Sequence, residues 1–315
     1  MRQPLVPGKG VISSELRALV PIISAQNAGP LLDLMGALLA RRGGEVHIVG
    51  LVEVPGLRPE RVRDIMVQRR RSLLRWMASV NRQGLESRGV VSTELKVSHQ
   101  LALGIREAVY ENDSNLIAIE WPGLDTQRPK QLGAVLEDLT TSPPADLVLV
   151  RPRSGSRRMA RDGARILVPV RGGPNAALAL DIGAGLSAGF GCRLTVLHVY
   201  SPAISPATRQ REQKAFHELI STLGDLDMTV VERDAPSVSE AIFEETRDYD
   251  IVVLGAYAQA TDSMPLVRSE LAAAVRGLPG AVILVRTLAS VAGESTFETG
   301  RQRSNTAQMR RTGMG

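Results

Sequence analysis

The chain is 315 residues long, with 43% apolar and only 3% aromatic residues, which suits two ordinary domains with aliphatic cores and excludes disorder throughout. Its 38 Lys+Arg against 33 Asp+Glu leave a net charge of +5, carried almost wholly by arginine because Lys9, Lys96, Lys130 and Lys214 are the only lysines. So modest a charge with so few aromatics argues against nucleic-acid binding, and apolar runs that charge always interrupts, as Asp181 and Arg193 interrupt 176–199, argue against a transmembrane helix.

In chain order, residues 1–13 lead into no uninterrupted apolar segment with a cleavage site, so they read as a disordered start and not as a secretory signal. The expected compartment is the cytoplasm. Continuous apolar runs near 17–23, 45–54, 91–98, 115–120 and 146–151 predict buried strands, and helical patterns lie between them. Between the second and third, Val62, Ile65, Met66, Leu73, Trp76, Met77 and Val80 recur at helical spacing and predict a long amphipathic helix over Glu60–Gln83. Arg61, Arg63, Arg70, Arg71, Arg75 and Arg82 fall mostly off that stripe. They read first as a solvated face, and as an anionic-surface or nucleic-acid contact second. Trp76 reads as core or inter-domain packing.

Residues 153–163 have the composition of an arginine-rich linker. A second series follows, with strands predicted near 165–170, 192–200, 228–233, 250–255 and 280–286 and helices over 175–188 and 237–247. The latter opens on a capping box of Ser237 and Glu240. Residues 288–315, rich in Ser, Thr, Gly and Arg, read as a disordered tail.

The two series are copies. Leu19-Val-Pro-Ile-Ile-Ser-Ala-Gln-Asn-Ala28 aligns with Leu167-Val-Pro-Val-Arg-Gly-Gly-Pro-Asn-Ala176 at an offset of 148. Ala145-Asp-Leu-Val-Leu-Val-Arg151 aligns with Gly280-Ala-Val-Ile-Leu-Val-Arg286 at an offset of 135, so the first copy holds a net 13 extra residues. Residues 14–152 and 164–287 thus read as two tandem α/β domains, each a doubly wound parallel sheet of five strands. The apolar final strands, Leu147–Val150 and Val282–Val285, would be exposed edges if left unpaired. Pairing them predicts a pseudo-dimer within one chain and leaves further homo-oligomers open.

A strand ending Val168-Pro-Val170, a glycine turn, Asn175-Ala176 and an Ala/Leu helix, then Leu194-Thr-Val-Leu-His-Val199, resembles the universal stress protein family. Asp250-Ile-Val-Val-Leu-Gly255 and Pro279-Gly-Ala-Val-Ile-Leu-Val285 resemble its last two strands. The likeness spans both copies. It implies strand order 3-2-1-4-5, an adenine nucleotide alpha-hydrolase-like fold, with ligands at the carboxyl ends of strands 1 and 4, the topological switch point.

ATP-binding members carry G-x2-G-x9-G-[S/T] after strand 4, where glycines let backbone N–H groups reach the phosphates. The matching positions here are Glu120, Gly123, Gly133 and Ala134 in the first copy and Gly255, Ala258, Arg268 and Ser269 in the second. The family's adenine-contacting Asp is replaced by Ile23 and by Arg171, neither of which can accept a hydrogen bond from the adenine amino group. The resemblance therefore implies the branch without family-style ATP binding, with no cofactor expected. Any nucleotide or other anion is expected in the second copy, on Arg171, Gly172, Gly173, Gly255 and Ser269. Gly172-Gly173-Pro174 reads as a phosphate cradle or, more plainly, as a strand-to-helix turn. Trp121-Pro122-Gly123 reads equally as an aromatic wall for a planar ligand or as a turn that plugs an emptied site.

Cys192 is alone, which excludes an internal disulfide or cysteine-based zinc site, and His47, His99, His198 and His217 are scattered, so no metal is expected. His198 and Cys192 fall in a predicted strand and read as core residues. With no Ser/His/acid constellation, no catalysis is expected. The leading expectation is a non-catalytic regulatory or interaction module of the stress response with an unidentified protein partner. The alternatives are an ATP or AMP sensor with slow hydrolysis and a soluble regulatory partner of a membrane transporter.

Overall fold

The computed structural model describes residues 15–23, 28–54, 63–68, 70–72, 75, 85–121, 130–156, 158–256, 275 and 277–288. The ends expected to be disordered, apart from Leu288, lie outside these residues, as does Trp76.

The first half comprises β1 (Leu16–Ile22), α1 (Ala28–Arg42), β2 (Gly44–Glu53), β3 (Val90–Ser98), α2 (Leu101–Glu111), β4 (Leu116–Glu120), α3 (Lys130–Thr141) and β5 (Asp146–Arg151). The second comprises β6 (Arg165–Pro169), α4 (Asn175–Phe190), β7 (Arg193–Tyr200), α5 (Pro206–Ser221), β8 (Met228–Asp234), α6 (Val238–Thr246), β9 (Ile251–Gly255) and β10 (Ala281–Arg286). Helix α1 runs into Gly43 at φ 65° and α4 into Gly191 at φ 61°, the left-handed exit that glycine permits, at the same place in both halves. At the start of α6 the hydroxyl of Ser237 accepts the Glu240 N–H at 3.3 Å.

All ten strands form one sheet in the order β3-β2-β1-β4-β5-β10-β9-β6-β7-β8. Each half contributes five parallel strands in the order 3-2-1-4-5. The two series meet where β5 and β10 pair antiparallel, Ile283 opposite Val150 and Leu284 opposite Leu149. The expected edge pairing is therefore present, and it buries both apolar final strands.

Alternate residues of each central strand point to opposite faces, so in β4 Leu116 and Ala118 join one hydrophobic cluster while Ile117 and Ile119 join another. Both clusters run across the seam, the first linking α1 to α4 and the second linking Leu147 and Leu149 to Val282 and Leu284. Small residues let α1 and α4 approach closely: a Cβ on Gly189 would stand 2.6 Å from Cβ of Ala37, and one on Gly185 2.5 Å from Leu38.

Polar groups fix the register of the seam. Asp181 of α4, buried, accepts from Arg42 of α1 at 3.1 Å and lies 3.6 Å from Arg41. The Arg151 guanidinium donates to the carbonyls of Val275, Leu278 and Gly280 at 2.8–3.1 Å. The arginine-rich connection is held to both halves, because Met159 is buried and its N–H donates to Asp33 at 3.0 Å, while Arg161 pairs with Asp250 at 2.7 Å.

Candidate functional site

The carboxyl ends of β6 and β9 form the switch point of the second half, and a loop from Val170 to Pro174 crosses it before α4 begins. Val170 is buried, and its N–H donates to Leu197 O at 2.8 Å. Arg171, Gly172 and Gly173 are exposed. The two glycines sit at φ 84° and 87°, a conformation that L side chains rarely adopt, with nothing within 4 Å of where a Cβ would stand. These three expected residues are thus adjacent, open to solvent and rich in donors at the start of a 16-residue helix.

Across the switch point, Gly255 ends β9 and is exposed, and a Cβ there would stand 3.1 Å from Cβ of Asn175. Asn175 is the residue that sequence reasoning missed. Its Nδ2 donates to Ala256 O at 2.8 Å and its Oδ1 accepts the Thr287 N–H at 2.8 Å, so one side chain ties the first turn of α4 to the ends of β9 and β10. Thr287 in turn donates its hydroxyl to Asp146 at 2.8 Å, and Leu288 N–H donates to the same oxygen. Asp146 belongs to β5, so the chain of bonds runs from the ligand end of the second half into the first. Asn175 was visible as one of the positions that coincide between the copies. Its partners, more than eighty residues away, had no local signal.

Below the loop, His198 is buried, and its Nδ1 lies 2.7 Å from Val170 O, which places the ring proton on Nδ1. Its Nε2 has no partner among the described residues, and burial holds its pKa below the ordinary imidazole value. Tyr200 and Phe216 pack on the ring at centroid distances of 4.3 and 4.7 Å, so it is a neutral core residue under the loop. Cys192 is also buried, its thiol pushed up to about 11 mainly by burial, and is inert as a nucleophile at neutral pH. Ala258, Arg268 and Ser269 lie outside the described residues.

In the first half, Ile23 follows β1 half-buried against the second hydrophobic cluster, and Glu120 ends β4 half-buried. Gly133 lies in α3 and Ala134 is exposed on it, while Gly123 is outside the described residues. Trp121 is fully buried in the second cluster, and its backbone N–H donates to Val150 O at 2.8 Å just as the Ala256 backbone N–H donates to Val285 O at 2.7 Å. The structure therefore corrects the reading of Trp121 as an aromatic wall facing a ligand. It continues the inward alternation of Ile117 and Ile119, and period two along β4 was the signal that could have placed it.

Burial raises the pKa of Asp33, Asp146 and Asp181 above the ordinary carboxyl value, against the lowering effects of their hydrogen bonds and neighbouring arginines. Asp250 is shifted down by hydrogen bonds from Arg165 N–H and Arg161, which outweigh its burial. Among the described residues no group of His, Cys, Asp or Glu could hold a metal ion. A ligand at the second switch point would meet backbone N–H groups and the Arg171 fork, a donor set suited to an anion.

Residues 164–286 match the model of the universal stress protein family. Solved structures match over nearly the whole of both chains. A universal stress protein from Archaeoglobus fulgidus DSM 4304 is 17% identical, covers 87% of this chain and 97% of its own, and has a TM-score of 0.58. A putative universal stress protein from Pseudomonas aeruginosa UCBPP-PA14 is 15% identical over 90% of this chain and 98% of its own, with a TM-score of 0.52. The cytoplasmic domain of a prokaryotic cation chloride cotransporter is 13% identical over 87% and 96%, with a TM-score of 0.54. At these identities the likeness shows the α/β fold. No curated protein matches the sequence.

Proposed function

We propose that the protein is a tandem universal stress protein that acts as a non-catalytic regulatory or interaction module in the cytoplasm, and that neither half binds ATP in the family's manner. The observation that supports this reading is what stands at the two switch points, where the residues that would meet adenine and phosphate are replaced and Asn175 is engaged in internal bonds. Asn175 spans the second, bonded on both sides to backbone, and a cationic Arg171 stands where an adenine acceptor is required. In the first, Ile23 removes that acceptor and Glu120 puts a carboxylate at the end of β4 where phosphates would lie. Phosphate binding there would set one anion against another.

Titration calorimetry of the full chain with ATP up to millimolar concentration is expected to give no saturable heat. A micromolar dissociation constant, about −8.2 kcal/mol or stronger, would overturn the reading. Should an anion bind, the second half is its place, and Arg171→Ala weakens it severalfold while Glu120→Gly leaves it unchanged.

The cotransporter domain among the structural neighbours supports a second reading, a soluble regulatory partner of a membrane transporter. That reading predicts co-purification with a membrane protein in detergent, which the first reading does not require.

A further inference from the structure

The connection from β2 to β3 carries the protein's charge. Within residues 60–83 seven arginines face only Glu60 and Asp64, a net of +5 that equals the net charge of all 315 residues, so the rest of the chain is neutral in sum. Its described residues 63–68, 70–72 and 75 are helical. At about 100° per residue their exposure sorts into two arcs. Arg63, Val67, Arg70, Arg71 and Arg75 lie on one and are exposed, with Asp64 beside them. Ile65, Met66 and Ser72 lie on the other and are half-buried. Arg75 Nε donates to Arg71 O at 3.4 Å, and among the described residues none of these four guanidinium groups is paired with a carboxylate.

The matching connection in the second half shows that the fold does not demand this. Helix α5 holds Arg209, Arg211 and Lys214 against Glu212 and Glu218, so its charges nearly balance, and two of the three cations have a carboxylate: Arg209 pairs with Asp234, and Lys214 lies 3.8 Å from Glu218. This arginine face, with no carboxylate partner among the described residues, therefore belongs to the connection that leads into the outermost strand β3 and has no counterpart in the other half.

We propose that this face docks the protein on an anionic lipid surface, its guanidinium groups meeting headgroup phosphates. A planar fork of donors matches phosphate oxygens, and four or more basic side chains on one helical face are drawn to an anionic leaflet within a Debye length. Val67, 45% exposed amid the arginines, favours lipid over nucleic acid: it can enter the headgroup boundary but offers nothing to a phosphodiester backbone. The described part of the arc also carries no aromatic ring on which a base could stack. The docking is peripheral, since no helix among the described residues is long and apolar enough to cross a membrane. It uses none of the switch-point residues and holds whether or not an anion binds there.

The test is co-sedimentation of the full chain with vesicles of phosphatidylcholine alone or with about one-third phosphatidylglycerol, at about 50 mM and about 300 mM salt. The expected result is a preference of about tenfold or more for the anionic vesicles at low salt, lost at high salt. The combined Arg63→Gln, Arg70→Gln, Arg71→Gln and Arg75→Gln variant should abolish the preference with its circular dichroism and thermal midpoint unchanged. Arg209→Gln with Lys214→Gln should retain it. Equal sedimentation with both vesicle types, retention of the preference by the fourfold variant, or displacement from vesicles by an equal charge of duplex DNA would each overturn the proposal, the last in favour of nucleic acid.

Discussion

The two halves share strand order, helix exits and the bond that closes the fourth strand on the fifth, yet they differ at three places. In the second half Asn175 is latched to Thr287; in the first, the residue equivalent to Thr287 is Pro152, which has no N–H to give. Asp146, which receives the far end of that latch, has Ala281 as its counterpart. The third is the charge of the β2–β3 connection against that of α5. The same topology thus carries different side chains in its two halves: Asn175 and Thr287 of the second half latch onto Asp146 of the first, and the first alone holds the arginine-rich connection. The seam between them is the part neither copy can alter alone.

The largest expected effect is at that seam. Asp181→Ala would remove the buried carboxylate that Arg41 and Arg42 share and should cost about 3–5 kcal/mol in urea unfolding. A loss below about 1 kcal/mol would mean that the apolar α1–α4 packing alone joins the halves.

Next comes the latch. Asn175→Ala strips the Ala256 carbonyl and the Thr287 N–H of their partner and should cost about 1–3 kcal/mol, with faster hydrogen exchange at 286–288. Asn27→Ala, at the corresponding place in the first half, should cost clearly less. Equal losses would remove the asymmetry on which the comparison rests.

Acid should then separate the buried carboxylates from the paired ones. Asp33, Asp146 and Asp181 have native pKa values raised above their unfolded ones, so the folded state holds their protons more tightly. Their contribution therefore grows as pH falls from neutral through the raised native values toward the unfolded value. Asp250 is shifted the other way, and its contribution, present above the unfolded pKa, is lost as pH falls through the lower native one. The urea midpoint should rise on mild acidification and fall in stronger acid. A monotonic fall from neutral pH would contradict the three raised values.

The smallest effect is expected from Asp146→Asn. It keeps an acceptor for Thr287 and Leu288 without the buried charge, so it should change stability at neutral pH by less than about 1 kcal/mol while flattening the mild-acid rise. A large loss would show that the charge itself, opposite Arg42, is required.

Much of this architecture was legible in the residues. Continuous apolar runs located the eight inner strands to within a residue or two, because a strand buried on both faces must be apolar throughout. The outermost strands β3 and β8 lie at the expected residues but carry charge and are largely exposed, not buried as expected. The internal repeat and the family resemblance supplied the strand order, and the uncovered edges of Leu147–Val150 and Val282–Val285 predicted their pairing. Those are local properties, carried by composition and period within a few residues.

The site was less legible, since its chemistry depends on which distant groups meet. Trp121 beside Pro122 and Gly123 has the composition of a ligand mouth, and only its place in the alternation of β4, closed by a bond to Val150, turns the ring into the core. Asp181 is an ordinary interruption of an apolar helix until α1 brings Arg41 and Arg42 against it from 139 or more residues away. The amino-acid sequence determined where strands and helices form, that they form twice, and which edges needed cover, because each follows from burying apolar surface on a regular backbone. Only the tertiary structure decided that Asn175 bridges β9 and β10, that Asp146 receives that bridge, and that Arg63, Arg70, Arg71 and Arg75 meet no carboxylate among the described residues. A hydrogen bond or ion pair exists only when two particular groups come within about 3 to 4 Å, and no local pattern records that meeting.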